Sequence, residues 1–349
     1  MRRTRLILAP VTALSLALAA CGTQSGSPAA SPTPAVESPA AGGPITVYSG
    51  RSEELVGPLL DQFTQATGIE VEARYGDTAE MANLILTEGA NSPADVFFAQ
   101  DAGALGAVAG EGLLTELPSE VLDRVDARFR SPSGEWVGVS GRARVVAYNT
   151  DRVDEADLPA TIFGFTDPEW SGRIGWAPTN GSFQAFVTAL RVIEGEDRAR
   201  EWLEGIEAND PKVYEGNNPA LDAVAAGEVD VAFINHYYLM QRLTEDPDIS
   251  AANHYLTDGD PGALVNVAGA GILASSEQPG AAQRLVEYLL SDEAQAYFGG
   301  ETKEYPLVES IGPDAGLPPL GEIGTPDIDL SDLSDLEGTL ELLQEVGIL

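Results

Sequence analysis

Gly227-Glu-Val-Asp-Val-Ala-Phe-Ile-Asn-His-Tyr-Tyr-Leu-Met-Gln-Arg242 is the stretch from which the rest of the chain can be read. Residues 229–234 are rich in Val, Ile and Phe and read as a strand, whereas 237–243 read as the first turns of a helix. Neighbouring side chains point to opposite faces of a strand and diverge by roughly 100° on a helix. The change of backbone between the two is what turns Tyr237 and Tyr238 toward one point. A phenol has a pKa of about 10, but a highly charged cation displaces its proton, and the phenolate is a hard oxygen donor suited to Fe3+. The other reading of a Tyr-Tyr pair is packing, with each hydroxyl tip hydrogen-bonded.

Outward from this junction strand and helix keep alternating, the signature of α/β layering. Residues 173–177 and 211–214 read as strands, and 183–194, 197–207 and 219–226 as helices. Nearer the N-terminus, 45–49, 69–75 and 94–99 read as strands and 53–67, 78–88 and 102–110 as helices. Ser52 is placed as the first N-cap, with Glu53 and Glu54 complementing the helix dipole. Two long β-rich segments, 136–148 and 263–274, bracket the second α/β unit and predict a double hinge between two lobes. About 300 residues of ordinary apolar content exceed what one core usually holds, which agrees with two lobes.

The chain begins with Arg2, Arg3 and Arg5 and an apolar run over 6–20, a signal peptide too short for a comfortable membrane span. Leu18-Ala19-Ala20-Cys21 resembles a bacterial lipobox, which implies cleavage before Cys21, lipidation of its thiol and a tether to the outer face of the cytoplasmic membrane. Cys21 is the only cysteine, so no intramolecular disulfide forms. Residues 22–43, mostly Ser, Pro, Ala, Gly and Thr, read as a flexible linker. With 19 basic against 55 acidic residues the formal charge is −36. Such a field disfavours nucleic acid and anionic membrane surfaces and draws cations.

Other chemistries lack their motifs. There are two histidines, His236 and His254, and no His-Glu-x-x-His, so histidine-rich zinc or copper chemistry is excluded. Neither a Walker-type phosphate loop nor a Gly-x-Ser-x-Gly elbow occurs. Gly269-Ala-Gly271 is a fragment in a hinge segment, Glu194-Gly-Glu-Asp197 a solvated turn, and Ser182 has no visible base to activate it. His236 either tunes the tyrosines through a hydrogen bond or serves packing or solvent.

Five runs in order carry a resemblance: Ile45-Thr-Val-Tyr-Ser-Gly-Arg-Ser52, Ser92-Pro-Ala-Asp-Val-Phe-Phe98, Ser140-Gly-Arg-Ala-Arg-Val-Val-Ala-Tyr-Asn149, Pro178-Thr-Asn-Gly-Ser-Phe183, and 217–238 ending in Asn235-His-Tyr-Tyr238. Over residues 45–349 the chain resembles bacterial ferric-iron solute-binding proteins, the receptors of iron-importing ABC transporters. The resemblance implies an α/β, bilobal periplasmic-binding-protein-like (type II) fold, two α/β lobes joined by a two-strand hinge that closes over ligand. It assigns 45–143 plus 268–310 to an N-lobe and 144–267 plus 311–349 to a C-lobe, after a signal peptide (1–20) and a lipidated, flexible segment (21–44). Tyr237 and Tyr238 fall on the family's paired iron ligands. Asn180, Gly181 and Ser182, at a helix start, resemble its pocket for a synergistic anion, phosphate or carbonate. Asn217 and Asn235 fall where relatives hydrogen-bond that anion, and Arg142 and Arg144 resemble its cationic lining. Salt bridging on a hinge strand is the alternative for both arginines.

The chain departs from the pattern at three points. Ser52 stands where many members have an iron-binding histidine, Gln100, followed by Asp101, where they have a glutamate, and a third cleft tyrosine near Phe183 is missing. Two phenolates fill part of an octahedron, so an exogenous anion, water, or a carboxylate from Asp101 or Glu53 supplies the rest. Asp101 also suits a helix N-cap and Glu53 a helix first turn. The expected function is extracytoplasmic capture of Fe3+ and its delivery by a monomer to an ABC permease, without covalent chemistry. Two further readings stay open: a receptor for another small solute (oxyanion, phosphonate, sulfonate or polyamine), with the tyrosines as stacking walls, and an exported hydrolase, for which no nucleophile and base pair is recognisable.

Overall fold

The computed structural model describes residues 43–314 and 316–349; Cys21, the signal peptide and nearly all of the expected linker lie outside the described residues. Five strands, β1 (Ile45–Ser49), β2 (Val71–Tyr75), β3 (Val96–Ala99), β4 (Trp136–Tyr148) and β5 (Ile174–Trp176), and four helices, α1 (Glu53–Thr67), α2 (Thr78–Glu88), α3 (Ala102–Gly110) and α4 (Ser119–Leu122), occupy the first half. Then come α5 (Gly181–Glu194), α6 (Glu196–Glu207), β6 (Lys212–Val213), α7 (Asn217–Ala225), β7 (Val231–Asn235), α8 (His236–Glu245), β8 (Ala252–His254) and β9 (Val265–Ile272). Helices α9 (Pro279–Leu289) and α10 (Asp292–Tyr297), strand β10 (Tyr305–Pro306) and helix α11 (Leu336–Glu345) complete the chain.

The strand order is β2-β1-β3-β9-β4-β7-β5-β6, with β10 and β8 also on β4. β4 is shared. Its first part, 136–143, pairs antiparallel with β9, while residues from Arg144 onward pair with β7 and β8. On one side β1 runs parallel to β2 and β3; on the other β5 runs parallel to β6 and β7. Parallel strands covered on both faces read as unbroken apolar runs, which is why Val96-Phe-Phe-Ala99 is wholly buried.

Each half has its own core. Phe63, Phe97, Trp136, Leu285 and Phe298 share the first, and Phe165, Trp176, Phe183, Trp202 and Phe233 the second. Alternation along β4 and β7 feeds both faces of the second sheet: Val146 and Phe233 enter that core, Val145 and Ile234 a smaller one with Leu221 and Leu239.

Two expectations about the hinge and tail change. The second crossing is not a strand running through both lobes: Pro261–Ala263 form a 3-10 turn, and Leu264 accepts the Arg144 amide at 2.8 Å before β9 begins. The segment after 310, expected with the C-lobe, divides. Leu317, Ile323, Leu330 and Leu333 join the first core, whereas Leu342 and Leu343 of α11 join the second. The cause is a notch on α3: a Cβ on Gly103 would lie 2.3 Å from the Leu333 carbonyl oxygen, so only glycine admits the tail's backbone there.

Candidate metal and anion site

β7 ends at Asn235, whose extended backbone leads into α8 at His236. The two tyrosines therefore sit in the first helical turn, with rings stacked at 4.2 Å and 28°. Tyr237 is buried, and Tyr238 is half-buried and lines a cleft of about 530 Å³. Burial pushes the Tyr237 phenol well above its ordinary range, the neighbouring Tyr238 pushes it further, and Arg142 opposes both. Only a strong cation would take its proton at neutral pH.

His236 neither faces solvent nor bonds a tyrosine. It is fully buried; Nδ1 accepts from the Ala143 amide at 3.1 Å and Nε2 donates to the Lys303 carbonyl at 3.0 Å. Burial pushes its pKa down to about 4, so it is a neutral imidazole of fixed tautomer tying α8 to the hinge strand and to the first lobe. Gln241 repeats the tie by donating to the Thr302 carbonyl at 3.1 Å.

The expected anion corner assembles, with one change. α5 starts at Gly181 rather than Phe183, because Asn180 caps it: Asn180 Oδ1 accepts from the Ser182 amide at 3.0 Å. That amide is therefore engaged. Asn217 donates to Asn180 Oδ1 and Ser182 Oγ, each at 3.2 Å. Arg144 reaches the Phe233 carbonyl at 2.8 Å, Asn235 Oδ1 at 3.3 Å and Ser182 Oγ at 3.4 Å. All three acceptors are neutral. The guanidinium lies over Phe183 and Phe186, 5.8 and 5.5 Å from their centroids. Burial pushes Arg144 down to about 9, still charged at neutral pH, and its Nε and Asn217 Oδ1 have no hydrogen-bond partner among the described residues. Arg144 is thus a buried cation with no carboxylate partner and with idle polar atoms around it, an arrangement that is costly when left uncompensated.

Arg142, two residues along β4, has a different environment. It donates to the Gln100 carbonyl, and its Nε lies 3.8 Å from Glu304 Oε1. Glu304 forms a bidentate pair with Arg51 at 2.8 Å for both bonds and also accepts from Thr302 Oγ1 at 2.9 Å and Ser140 Oγ at 3.3 Å. Arg51 and Glu304 are 2% and 1% exposed. Burial works against both charges, yet their mutual attraction prevails: the carboxyl titrates below its usual range and the guanidinium above. Sequence reasoning missed this pair, whose members lie 253 positions apart; the available signal was an arginine ending an apolar strand, within Tyr48-Ser-Gly-Arg51.

The first-lobe candidates fare unequally. Gln100 and Asp101 line the cleft. Asp101 Oδ1 caps α3 by accepting from the Ala104 amide at 3.0 Å. Ser52 is exposed at the N-cap of α1 and makes no side-chain cap bond. Glu53 is exposed and faces a separate groove with Asp61 and Tyr75. Neither lines the cleft: α1 begins at Glu53, directly after its Ser52 N-cap, and Glu53 faces the other groove. Among the described residues no group of three or more His, Cys, Asp or Glu side chains is arranged for a metal ion.

A family model described as bacterial extracellular solute-binding protein matches residues 80–319. The chain belongs to that family. Among solute-binding relatives, the major ferric iron-binding protein of Neisseria meningitidis serogroup B is 34% identical over 308 residues, 87% of this chain and 93% of that protein. Iron uptake protein A2 of Synechocystis is 36% identical over 315 residues, 87% of this chain and 89% of that protein. The structure of iron-bound HitA from Pseudomonas aeruginosa superposes with a TM-score of 0.81 at 37% identity, covering 87% of this chain and 99% of that one. The expected bilobal α/β fold of periplasmic binding proteins holds. No helix among the described residues is long and apolar enough to cross a membrane.

Proposed function

We propose that this protein captures Fe3+ outside the cytoplasmic membrane, together with a synergistic anion such as phosphate or carbonate, and delivers it to an ABC-type permease. The observation that carries this reading is the stacked Tyr237–Tyr238 pair, with Tyr238 lining a cleft it shares with Arg142, Asn180 and Ser182, and the adjoining small pocket where Arg144, a buried cation without a carboxylate partner, meets the same Ser182. The phenolates take the metal, and the anion fills open coordination positions while neutralising the guanidinium. Asn180, Ser182, Asn217 and Asn235 brace that corner, with the Gly181 backbone beside it. Arg142 borders the same cleft, and water completes the shell, Asp101 being engaged as the cap of α3. Relatives named for ferric iron binding and a neighbour solved with iron and citrate support the choice of cargo.

Lobe closure over the metal links affinity to permease docking through one motion. In this proposal the receptor is a monomer held to the membrane by a lipid on Cys21. Its lobes are taken at the expected boundaries, except that 264–267 and 317–333 go with the first core. A polyamine receptor is disfavoured by the buried Arg142 guanidinium in the cleft wall, and a hydrolase by Ser182 Oγ, which donates to Asn180 Oδ1. The test is ferric loading at neutral pH with phosphate present. A visible phenolate-to-iron charge-transfer band is expected, and a colourless protein that instead binds phosphate or spermidine alone in calorimetry overturns the reading.

A further inference from the structure

Beside Arg142 lies a buried ion pair, Arg51 and Glu304, that the capture reading does not use. Glu304 follows a π-helical turn (Phe298–Thr302) and Lys303, a non-glycine residue held left-handed at φ 62°. Such backbone is costly and persists where the surroundings fix it. Here it turns three successive groups toward the tyrosine-bearing helix and its supports: the Thr302 carbonyl to Gln241, the Lys303 carbonyl to His236, and the Glu304 carboxylate to Arg51 and Arg142. Arg142 lines the cleft beside Tyr238. His236, held by the Lys303 carbonyl, meets the Tyr237 ring edge to face with centroids 5.9 Å apart. Two guanidinium groups and one carboxylate leave one net positive charge, fully buried, next to the place where two phenolates must form. Burying three ions is a poor way to gain stability alone.

We infer that Glu304 is a positioning residue for the phenolate pair: by pinning Arg51 and balancing one of the two guanidinium charges, it sets the potential at which Tyr237 and Tyr238 hold the metal. This rests on the ferric reading. The electrostatic role makes an ordered prediction, because the net charge of the cluster can be moved up, down or not at all. Glu304→Gln raises it by one, Arg51→Gln lowers it by one, and the double substitution leaves it as it was.

The experiment records the phenolate-to-iron band of the full chain loaded from ferric nitrilotriacetate with phosphate. The two single variants are expected to displace the band maximum in opposite directions, and the double variant to return it close to the parent. Bands that move the same way in both single variants, or do not move, overturn the inference. Removing one partner of a buried pair is destabilising, so if one single variant does not fold the other is read against the double variant. A band displaced in the single and restored in the double sustains the inference, and a band unmoved in the single or displaced in the double overturns it. A parent without any band instead refutes ferric capture itself, and the inference with it.

Discussion

Where β4, β7, α5, α7 and α8 meet, Asn180, Ser182, Asn217, Asn235 and Arg144 brace one another behind the cleft wall that Asn180, Ser182 and Tyr238 line, and Tyr237 stacks on Tyr238. The wall formed by α2 and α3 offers Thr78, Gln100 and Asp101, which largely serve their own backbone. Thr78 Oγ1 donates to the Gly50 carbonyl at 3.2 Å and accepts from the Gln100 amide at 3.0 Å, and Asp101 caps α3. One lobe is thus prepared for charge before any ligand arrives, and the other supplies cover. Preorganised donors lose less on binding, so most of the affinity should reside in the braced wall.

Removing a phenol strikes the comparison hardest. Tyr237→Phe or Tyr238→Phe keeps the stack but deletes a donor, and ferric affinity measured by competition with citrate should fall by more than about 100-fold, beyond the usual cost of losing a supporting contact. Arg144→Gln comes next. Its partners are neutral, so the fold should survive. Losing charge-assisted contacts to the anion, roughly 1.5–3 kcal/mol, should cut affinity by about 10- to 100-fold and abolish its dependence on phosphate.

Acidification tests the same wall in a graded way. The Tyr237 pKa is raised, so its proton is present at neutral pH and must be expelled when metal binds. Each proton so released makes apparent affinity fall about tenfold per unit of falling pH. An iron affinity flat between pH 7 and 5 would show that the metal does not displace that phenol proton. The covering wall should respond least: Gln100→Ala and Asp101→Ala are expected to leave ferric affinity within about threefold, while Asp101→Ala lowers stability by about 1 kcal/mol through the lost cap. A large affinity loss in either would erase the asymmetry between the walls.

Local signals made much of this legible beforehand. The strand over 229–234, the helix after it and the tyrosines at their junction were readable because a change of hydrophobic period is written in consecutive residues. Asn180 misled by two positions because a good N-cap followed by Gly and Ser does not look helical until the cap bond is seen. Helices α9 and α10 escaped attention although α9 opens with Pro279 at its first position and Ser291 caps α10. Glu304 was out of reach: nothing near it marks a buried carboxylate, and its partner Arg51 is at the opposite end of the folded chain. Arg142 and Arg144 look equivalent in sequence, yet one shares a carboxylate and the other has only neutral acceptors, a difference that exists only in tertiary structure.

The divided tail has a mechanical consequence. Leu333 is seated in the glycine notch of α3, while a few residues on, Asp335 pairs with Arg191 at 2.9 Å and Thr339 shares a buried hydrogen bond with Thr188 at 2.7 Å, both on α5. A strap fixed at both ends by so short a span forbids the halves from sliding apart. They can swing only as far as the peptide units around Asp335 rotate, so the last turns of the molecule govern the arc through which the jaws part.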